Sequence, residues 1–443
     1  MKAPWPRPSC RPSWMPISER VARLGSGVFA RNDQRKQAYS HLQRAALGTP
    51  VPGEPGTGTS AAADLAQSPR AIGQISSGPL PPLLDLSLGS TDLPPPAVAL
   101  EAIATALQDP RSASYCLHGA TLPFRERVAA WAQRRFGVRV DPEREVLLLV
   151  GSQEGTAHLP LAVLNPGDGA LLLDPHYPSH RGGLELASAE TVLLRLDPEQ
   201  GWRPDFNALP AQTWEALKLM VLGFPHNPTA TTGQQAWLDE AVARAIDHDL
   251  VLAHDNPYID LALEGEAPAL LRHPDWRRCG IEFFSFSKGW CLGGYRIAFA
   301  IGAEPLISAL RQLKAVVDFN QSLALQAGAI AALDQAPHWP EQLRAVYRER
   351  RDRMAATLRR EGWMVPEATM ALYLWLPLPE AARRRGLDSE AFAAALLDAT
   401  GVCLTPGNGF GPGGEGWQRL ALVHPSDALE AGAARMGAWL RGL

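Results

Sequence analysis

Lys288 closes the run Ser285-Phe286-Ser287-Lys288, which follows the apolar stretch Ile281 to Phe284 and leads through Gly289, Gly293 and Gly294 to Arg296. A lysine at the end of a buried strand, flanked by hydroxyls and followed by an arginine, can condense as a Schiff base with an aldehyde that also carries a phosphate. The cofactor of that description is pyridoxal 5′-phosphate. Taken alone, Ser-x-Ser-Lys also suits a solvated loop lysine, so the weight rests on what else gathers around it. Gly151-Ser152-Gln153-Glu154-Gly155 follows the apolar run Val146 to Val150 and opens a helical stretch. Backbone N–H groups at such a helix start form a cradle for phosphate. Asn227-Pro228 follows Leu219 to Leu222, and Asp255-Asn256-Pro257-Tyr258 follows Leu250 to Ala253.

These residues need elements that bring them to one edge. Short apolar runs at Val146 to Val150, Ala170 to Leu173, Thr191 to Leu196, Leu219 to Leu222, Leu250 to Ala253, Ile281 to Phe284 and Ile297 to Ile301 alternate with helix-length stretches such as Gln234 to Asp247. Continuous apolar strands between helices predict an α/β fold, a mostly parallel central sheet flanked by helices on both faces. In such a sheet ligands collect at the carboxyl ends of the strands, where the candidate residues sit.

From about Gln326 long charged helices take over, including Pro340 to Glu361, followed by a strand at Leu372 to Leu376 and a glycine-rich loop at Pro406 to Gly416. The expected organisation is therefore an extension at residues 1–14, an arm at 15–47, a flexible Gly/Pro-rich insertion at 48–82, a large cofactor-binding domain at 83–325 and a smaller α+β domain at 326–443 that the arm joins. In the arm, Ser18 is placed to cap a helix that Gly25 and Gly27 should break once. Residues 48–82 are too rich in Gly, Pro, Ser and Ala to offset their ordering entropy. Met15 precedes the helical start, so translation is expected to begin there.

Composition narrows the classes. The 443 residues are 46% hydrophobic and 20% charged, as in ordinary globular proteins, and the net charge of -4 supplies no basic field for nucleic acid. Apolar runs stay far below the ~18 residues of a membrane span. The five cysteines form no CxxC or Cys/His cluster, which speaks against a disulfide framework or a zinc site, predicts no metal, and fits a reducing cytoplasm.

In order and approximate spacing, Asn227-Pro228, Asp255-x-x-Tyr258, Ser285-x-Ser-Lys288 and Arg296 resemble the class I/II pyridoxal-phosphate aminotransferases of the aspartate aminotransferase superfamily. The resemblance spans roughly Ile17 to Leu443, with residues 48–82 as an insertion. It implies the aspartate-aminotransferase-like fold and assigns roles. Asp255 would pair with the protonated pyridine nitrogen and keep the ring an electron sink. Asn227 and Tyr258 would hydrogen-bond the ring's phenolic oxygen. Lys288 would bind the aldehyde and then shuttle the proton. Ser285, Arg296 and the amides of Ser152 and Gln153 would hold the phosphate, and Tyr177 would stack on the ring. Tyr115 would reach the neighbouring subunit's phosphate, which implies a homodimer, although here Gly119 and Ala120 replace the usual glycine spacing after that tyrosine. Arg419 would clamp the substrate α-carboxylate, with Asn227 and the backbone of Gly89 beside it.

Arg20 to Phe29, Phe136 to Glu145, Gly151 to His158 and Gly280 to Phe284 are similar to the bacterial LL-diaminopimelate aminotransferase-like branch, which also holds alanine and aspartate aminotransferases. That branch implies amino-group transfer between an L-amino acid and a 2-oxo acid, both small molecules, by a ping-pong mechanism. Gly289-Trp290-Cys291 and Asn256-Pro257 depart from the usual residues, and Asp318 to Gln321 is expected beside the partner's pocket. The alternatives are another pyridoxal-phosphate reaction, a carbon–sulfur lyase or decarboxylase, or a non-catalytic paralogue. A transcription regulator would need a basic helix-turn-helix domain, which the Gly/Pro-rich N-terminal segment does not supply.

Overall fold

The seven apolar runs pair into one sheet. The computed structural model describes residues 18–24, 27–46 and 80–443. The expected extension at 1–14, Met15 and nearly all of the 48–82 insertion lie outside the described residues. After the two-residue strand β1 (Leu84–Asp85), the sheet is built from β2 (Val146–Leu149), β3 (Gly169–Asp174), β4 (Glu190–Arg195), β5 (Leu217–Leu222), β6 (Val251–Asp255), β7 (Gly280–Ser285) and β8 (Ala298–Gly302), in the order β2-β8-β7-β6-β5-β3-β4. Pairings among β3 to β7 are parallel, whereas β8 runs antiparallel to both β7 and β2. Because β8 opposes both neighbours, β2 points the same way as the parallel strands, and its carboxyl end reaches the same edge.

Period-two alternation explains why the strands read as unbroken apolar runs. Leu147, Leu149, Leu172, Leu219, Val221, Ile281 and Phe283 enter one core with Leu159, Leu184, Ile307 and Leu310 from the covering helices. Their neighbours Val146, Leu148, Leu171, Leu173, Met220, Leu222 and Phe284 enter the opposite core with Phe124, Val128, Trp131 and Leu238. Both faces are buried, so no polar alternation is left to see.

A second core gathers Leu343, Met354, Leu358, Phe392, Leu396, Leu429 and Met436 around β9 (Tyr373–Pro377), β11 (Thr405–Pro406) and β12 (Trp417–Ala421), an antiparallel sheet ordered β11-β12-β9. β10 (Val402–Cys403) pairs in parallel with β1. The division expected at residue 326 meets the described elements at two places. It falls inside the helix Leu323–Gln335, whose Ala329, Ala332 and Leu333 belong to the large sheet's core. Leu84 and Leu86, far earlier in the chain, belong to the small core through the β1–β10 pairing. In the arm, the helix Glu19–Leu24 stops before Gly25 and restarts as Val28–Ala46. Ser18 Oγ accepts the Val21 N–H at 3.4 Å.

Candidate active site

The segments at the carboxyl ends of β2, β3, β5, β6 and β7 contribute to one cavity of about 280 Å³. Gly89, Ser152, Gln153, Tyr177, Asn227, Asp255, Tyr258, Ser285, Lys288, Arg296 and Arg419 all line it. Tyr115 does not. It is 83% exposed, and its ring packs on Phe319 at 5.1 Å, away from this chain's own cavity.

The anion cup forms where β2 turns into the helix Ser152–Val163. Gly151 sits at φ +82°, and a Cβ there would lie 2.0 Å from Arg296 Nη2, so only glycine lets the guanidinium lie against the turn. Arg296 itself adopts φ +52°, steadied by its Nη1 donating to Gly293 O at 3.0 Å and by Gln321 Nε2 donating to its carbonyl. Gln321 belongs to the loop expected to serve the partner's pocket; it also braces its own chain's arginine. Ser285 ends β7, caps the short turn to Lys288 by accepting the Ser287 N–H at 3.1 Å, and donates its hydroxyl to Ser287 Oγ at 2.9 Å. Asp318 meets Lys314 Nζ at 3.0 Å, and Lys314 in turn reaches Glu154 at 3.1 Å, beneath the cup.

Lys288 Nζ donates to Gly89 O at 2.5 Å. Burial, together with Arg419 and Arg296, lowers its affinity for a proton below the usual lysine value, while Tyr373 works the other way. Asp255, at the end of β6, receives a hydrogen bond at Oδ2 from His180 Nε2 at 2.9 Å. Its Oδ1 is buried and, among the described residues, has no partner. An orphaned carboxylate oxygen is costly unless a ligand satisfies it. Beneath it, His254 and Glu282 are fully buried: Glu282 Oε1 meets His254 Nδ1 at 2.8 Å and Asn256 Nδ2 at 2.9 Å, and His254 Nε2 accepts the Phe224 N–H at 3.1 Å. This network fixes the β6 terminus and so the aim of Asp255.

Arg419 comes from β12 of the small core and is almost wholly buried. Nη1 donates to Asn227 Oδ1 at 2.9 Å and Nη2 to Ser87 O at 2.7 Å, while Nε has no partner among the described residues. Its guanidinium lies 4.4, 4.8 and 5.2 Å from the ring centres of Tyr373, Phe410 and Phe29. Asn227 Nδ2 reaches Tyr258 Oη at 3.5 Å, and Tyr258 Oη meets Tyr373 Oη at 3.0 Å. Tyr177 is pushed up to about 12 by burial and by the neighbouring Tyr373.

Tyr373, His180, His176, His226 and Phe29 line the cavity but do not stand out in the sequence. His180 had one signal, its place three residues after Tyr177 at the head of a helix. Tyr373 had none, because it lies inside an apolar strand.

A guanidinium laid against a helix start, an amine, a carboxylate with a spare oxygen and a buried arginine gather at the carboxyl edge of a mostly parallel sheet, where the ligand site of an α/β enzyme lies. Residues 81–436 match the family model described as aminotransferase class I and II, and the chain belongs to that family. It is 38% identical over 355 residues to the LL-diaminopimelate aminotransferase of Dehalococcoides mccartyi strain 195, covering 80% of this chain and 90% of that one. A solved structure described as a probable N-succinyldiaminopimelate aminotransferase from Thermus thermophilus is 37% identical, with a TM-score of 0.80 over 93% of this chain and 99% of that one. A single mutant of the Thermus thermophilus aspartate aminotransferase, at 22% identity and TM-score 0.79 over 96% of this chain and 99% of that one, shares the fold. The fold of this chain is that of the aspartate aminotransferases, and its activity is that of an aminotransferase.

Proposed function

We propose that this aminotransferase uses pyridoxal 5′-phosphate to move an amino group between an L-amino acid and a 2-oxo acid by a ping-pong mechanism, with LL-diaminopimelate, alanine or aspartate as candidate donor. The observation that carries the reading is the buried, unpartnered Oδ1 of Asp255 in the same cavity as Lys288 and the Gly151–Arg296 cup. A spare carboxylate oxygen suits a protonated ring nitrogen, and the cup, with Ser285 and the amides of Ser152 and Gln153, suits a phosphate. Pyridoxal phosphate, when bound, supplies an aldehyde that condenses with amines and a ring that withdraws electrons from the carbon beside the nitrogen.

The chain's own residues do the rest. Lys288 Nζ, its proton affinity lowered by burial, is the amine that takes a proton from the substrate carbon and returns it. Arg419 binds the α-carboxylate through its fork, with Asn227 and the Gly89 backbone beside it. His180 would aim Asp255 through its hydrogen bond to Oδ2, while Asn227 and Tyr258 would offer hydrogen-bond donors to the ring's oxygen. Tyr177 covers the ring and excludes water. The relatives named for LL-diaminopimelate and N-succinyldiaminopimelate support a diamino-acid substrate. We further infer a cytoplasmic homodimer in which Tyr115 reaches the partner's phosphate. No helix among the described residues is long and apolar enough to cross a membrane.

The deciding experiment is the visible spectrum of the protein loaded with pyridoxal phosphate, before and after adding diaminopimelate, glutamate, alanine or aspartate. A yellow band lost on adding one donor and restored by a 2-oxo acid establishes transamination and names the donor. Absence of a band, or an identical band in Lys288→Ala, refutes the reading. Release of carbon dioxide or a thiol instead of a 2-oxo acid would assign a decarboxylase or lyase.

A further inference from the structure

Tyr373 occupies an unusual position for a residue of the small core. It is 2% exposed, yet its hydroxyl lies at the junction of the two cores and lines the cavity. Tyr258 Oη is 3.0 Å away, and the Arg419 guanidinium stands 4.4 Å from the Tyr373 ring centre. The hydroxyl also presses on Gly89 so closely that a Cβ there would lie 1.9 Å from it, and the Gly89 carbonyl is the one that accepts from Lys288 Nζ. Gly89 is thus spared a side chain because a tyrosine oxygen takes its place.

We propose that Tyr373 is a positioning residue whose hydroxyl links the Arg419 clamp to Tyr258, so that a carboxylate arriving at Arg419 changes the hydrogen bond Tyr258 can offer and the charge Lys288 meets. The proposal rests on the reading of Arg419 as the carboxylate clamp. The proton count makes the link. Two phenols bonded to each other hold two protons, and only one lies between the oxygens. When Tyr258 donates to Tyr373, Tyr258 has no O–H left for the cavity. When Tyr373 donates to Tyr258, the Tyr258 O–H is free.

Which arrangement holds depends on the charges facing the pair. The titratable and charged groups around Tyr373 are Tyr258, Lys288, Arg419, Tyr177 and Tyr347. Burial alone would raise Tyr373, but Arg419, Lys288 and the hydrogen bond from Tyr258 outweigh it and hold Tyr373 below the ordinary phenol value. Tyr258 is held well above its own by burial and by Tyr373. With the clamp free, the Arg419 and Lys288 cations favour Tyr373 Oη as the acceptor, and Tyr258 donates to it. A carboxylate on Arg419 offsets that cation, Tyr373 becomes the donor within the pair, and the Tyr258 O–H turns to the cavity with both protons retained. Substrate arrival therefore prepares the donor that the cofactor's phenolic oxygen requires.

The test uses the cofactor-free protein, so it stands apart from whether pyridoxal phosphate binds. Lys288 is labelled with acetic anhydride across a pH series and followed by peptide mass spectrometry. Tyr373 raises Lys288, so Tyr373→Phe should lower the labelling midpoint by about 0.5 to 1 pH unit. Tyr258→Phe removes the bond from the other side and should lower it too, with the double variant showing less than the sum of the two. Propanoate added to the wild-type protein at alkaline pH should reduce phenolate absorbance in the near ultraviolet, and Tyr373→Phe should abolish that change while its ring still stacks on Arg419. An unmoved Lys288 midpoint in both single variants, no propanoate effect in the wild type, or one that survives in Tyr373→Phe overturns the proposal.

Discussion

Three histidines line the cavity near Asp255, and among them His180 alone contacts the carboxylate. His176 Nδ1 meets Leu173 O at 3.0 Å, and His226 Nδ1 meets Thr229 Oγ1 at 2.8 Å. Burial first, then the neighbouring His180, pushes both His176 and His226 down to about 3, so they are neutral spacers at any working pH. That has a consequence for stability. The unfolded chain takes up a proton on each near its ordinary value of about 6.5, whereas the folded chain refuses it until far lower. A depressed folded value means the stabilisation is whole above about pH 6.5 and drains away as pH falls towards 3. Each residue removes about 1.4 kcal/mol per pH unit in that window, so urea unfolding at about pH 5.5 should show a loss of about 3 kcal/mol against about pH 7.5. His226→Gln should roughly halve the loss; a stability flat across this range would contradict the neutral pair. Motif spacing marked the residues that hold charge, such as Lys288 and Asp255. It did not mark Tyr373, 115 residues from Tyr258, nor His180, 75 residues from Asp255, because only the folded sheet brings them together.

At the scale of elements, the strands were legible for a physical reason. Alternate residues of β3 and β5 enter two different apolar cores, so their runs over Ala170 to Leu173 and Leu219 to Leu222 are continuous, whereas in β7 the buried Glu282 interrupts the run. Direction was not legible. β8 carries the same apolar run as its neighbours yet lies antiparallel; residues 286–297, which join it to β7, form only the one-turn helix Phe286–Gly289 and the turn Gly293–Tyr295, with no long crossover helix. The β1–β10 pairing was hidden as well, since two residues contacting partners more than 300 positions later leave no periodic trace. The turn after β2 was legible as glycine plus helix start, and it carries a prediction. In Gly151→Ala the new Cβ would meet Arg296 Nη2 at 2.0 Å on a backbone at φ +82°. With ψ at 152° this is an extended positive-φ conformation that is essentially glycine's alone, which costs an alanine about 1–3 kcal/mol, and the guanidinium must also leave the cup. Affinity for pyridoxal phosphate, and for inorganic phosphate as its competitor, should fall at least about tenfold, roughly the worth of one charge-assisted hydrogen bond. Tryptophan fluorescence titration measures both, and unchanged affinities would remove the cup from the phosphate site.

For the whole molecule, the question is what covers the surface around Tyr115. Tyr115, Val316, Val317 and Phe319 are 83%, 82%, 53% and 48% exposed, and the Tyr115 ring packs at a tilt against Phe319. Exposed apolar side chains gathered this way mark an interaction face. The adjoining loop is tied inward: Asn320 Nδ2 donates to Cys116 O at 3.0 Å, and Gln321 braces Arg296. Anything that covers this face therefore presses on the anion cup through the Gln321 contact to Arg296. A second copy of the chain related by a two-fold axis would present Tyr115 to its neighbour's cavity and receive the same in return. Sedimentation should then give a dimer, and Phe319→Asp should yield a monomer with little transamination although its own Lys288 and Arg419 are intact. The sharper check mixes two inactive variants. Lys288→Ala lacks the amine but keeps Tyr115, and Tyr115→Ala lacks the donated hydroxyl but keeps Lys288. In a hybrid of the two, the Tyr115→Ala subunit has its own lysine and receives its partner's tyrosine, so one of its two sites is complete. Random reassociation makes half the dimers hybrid, and activity should recover to about one quarter of the wild type. If mixing restores nothing while each variant alone is dimeric and inactive, Tyr115 serves its own subunit and the shared site is wrong.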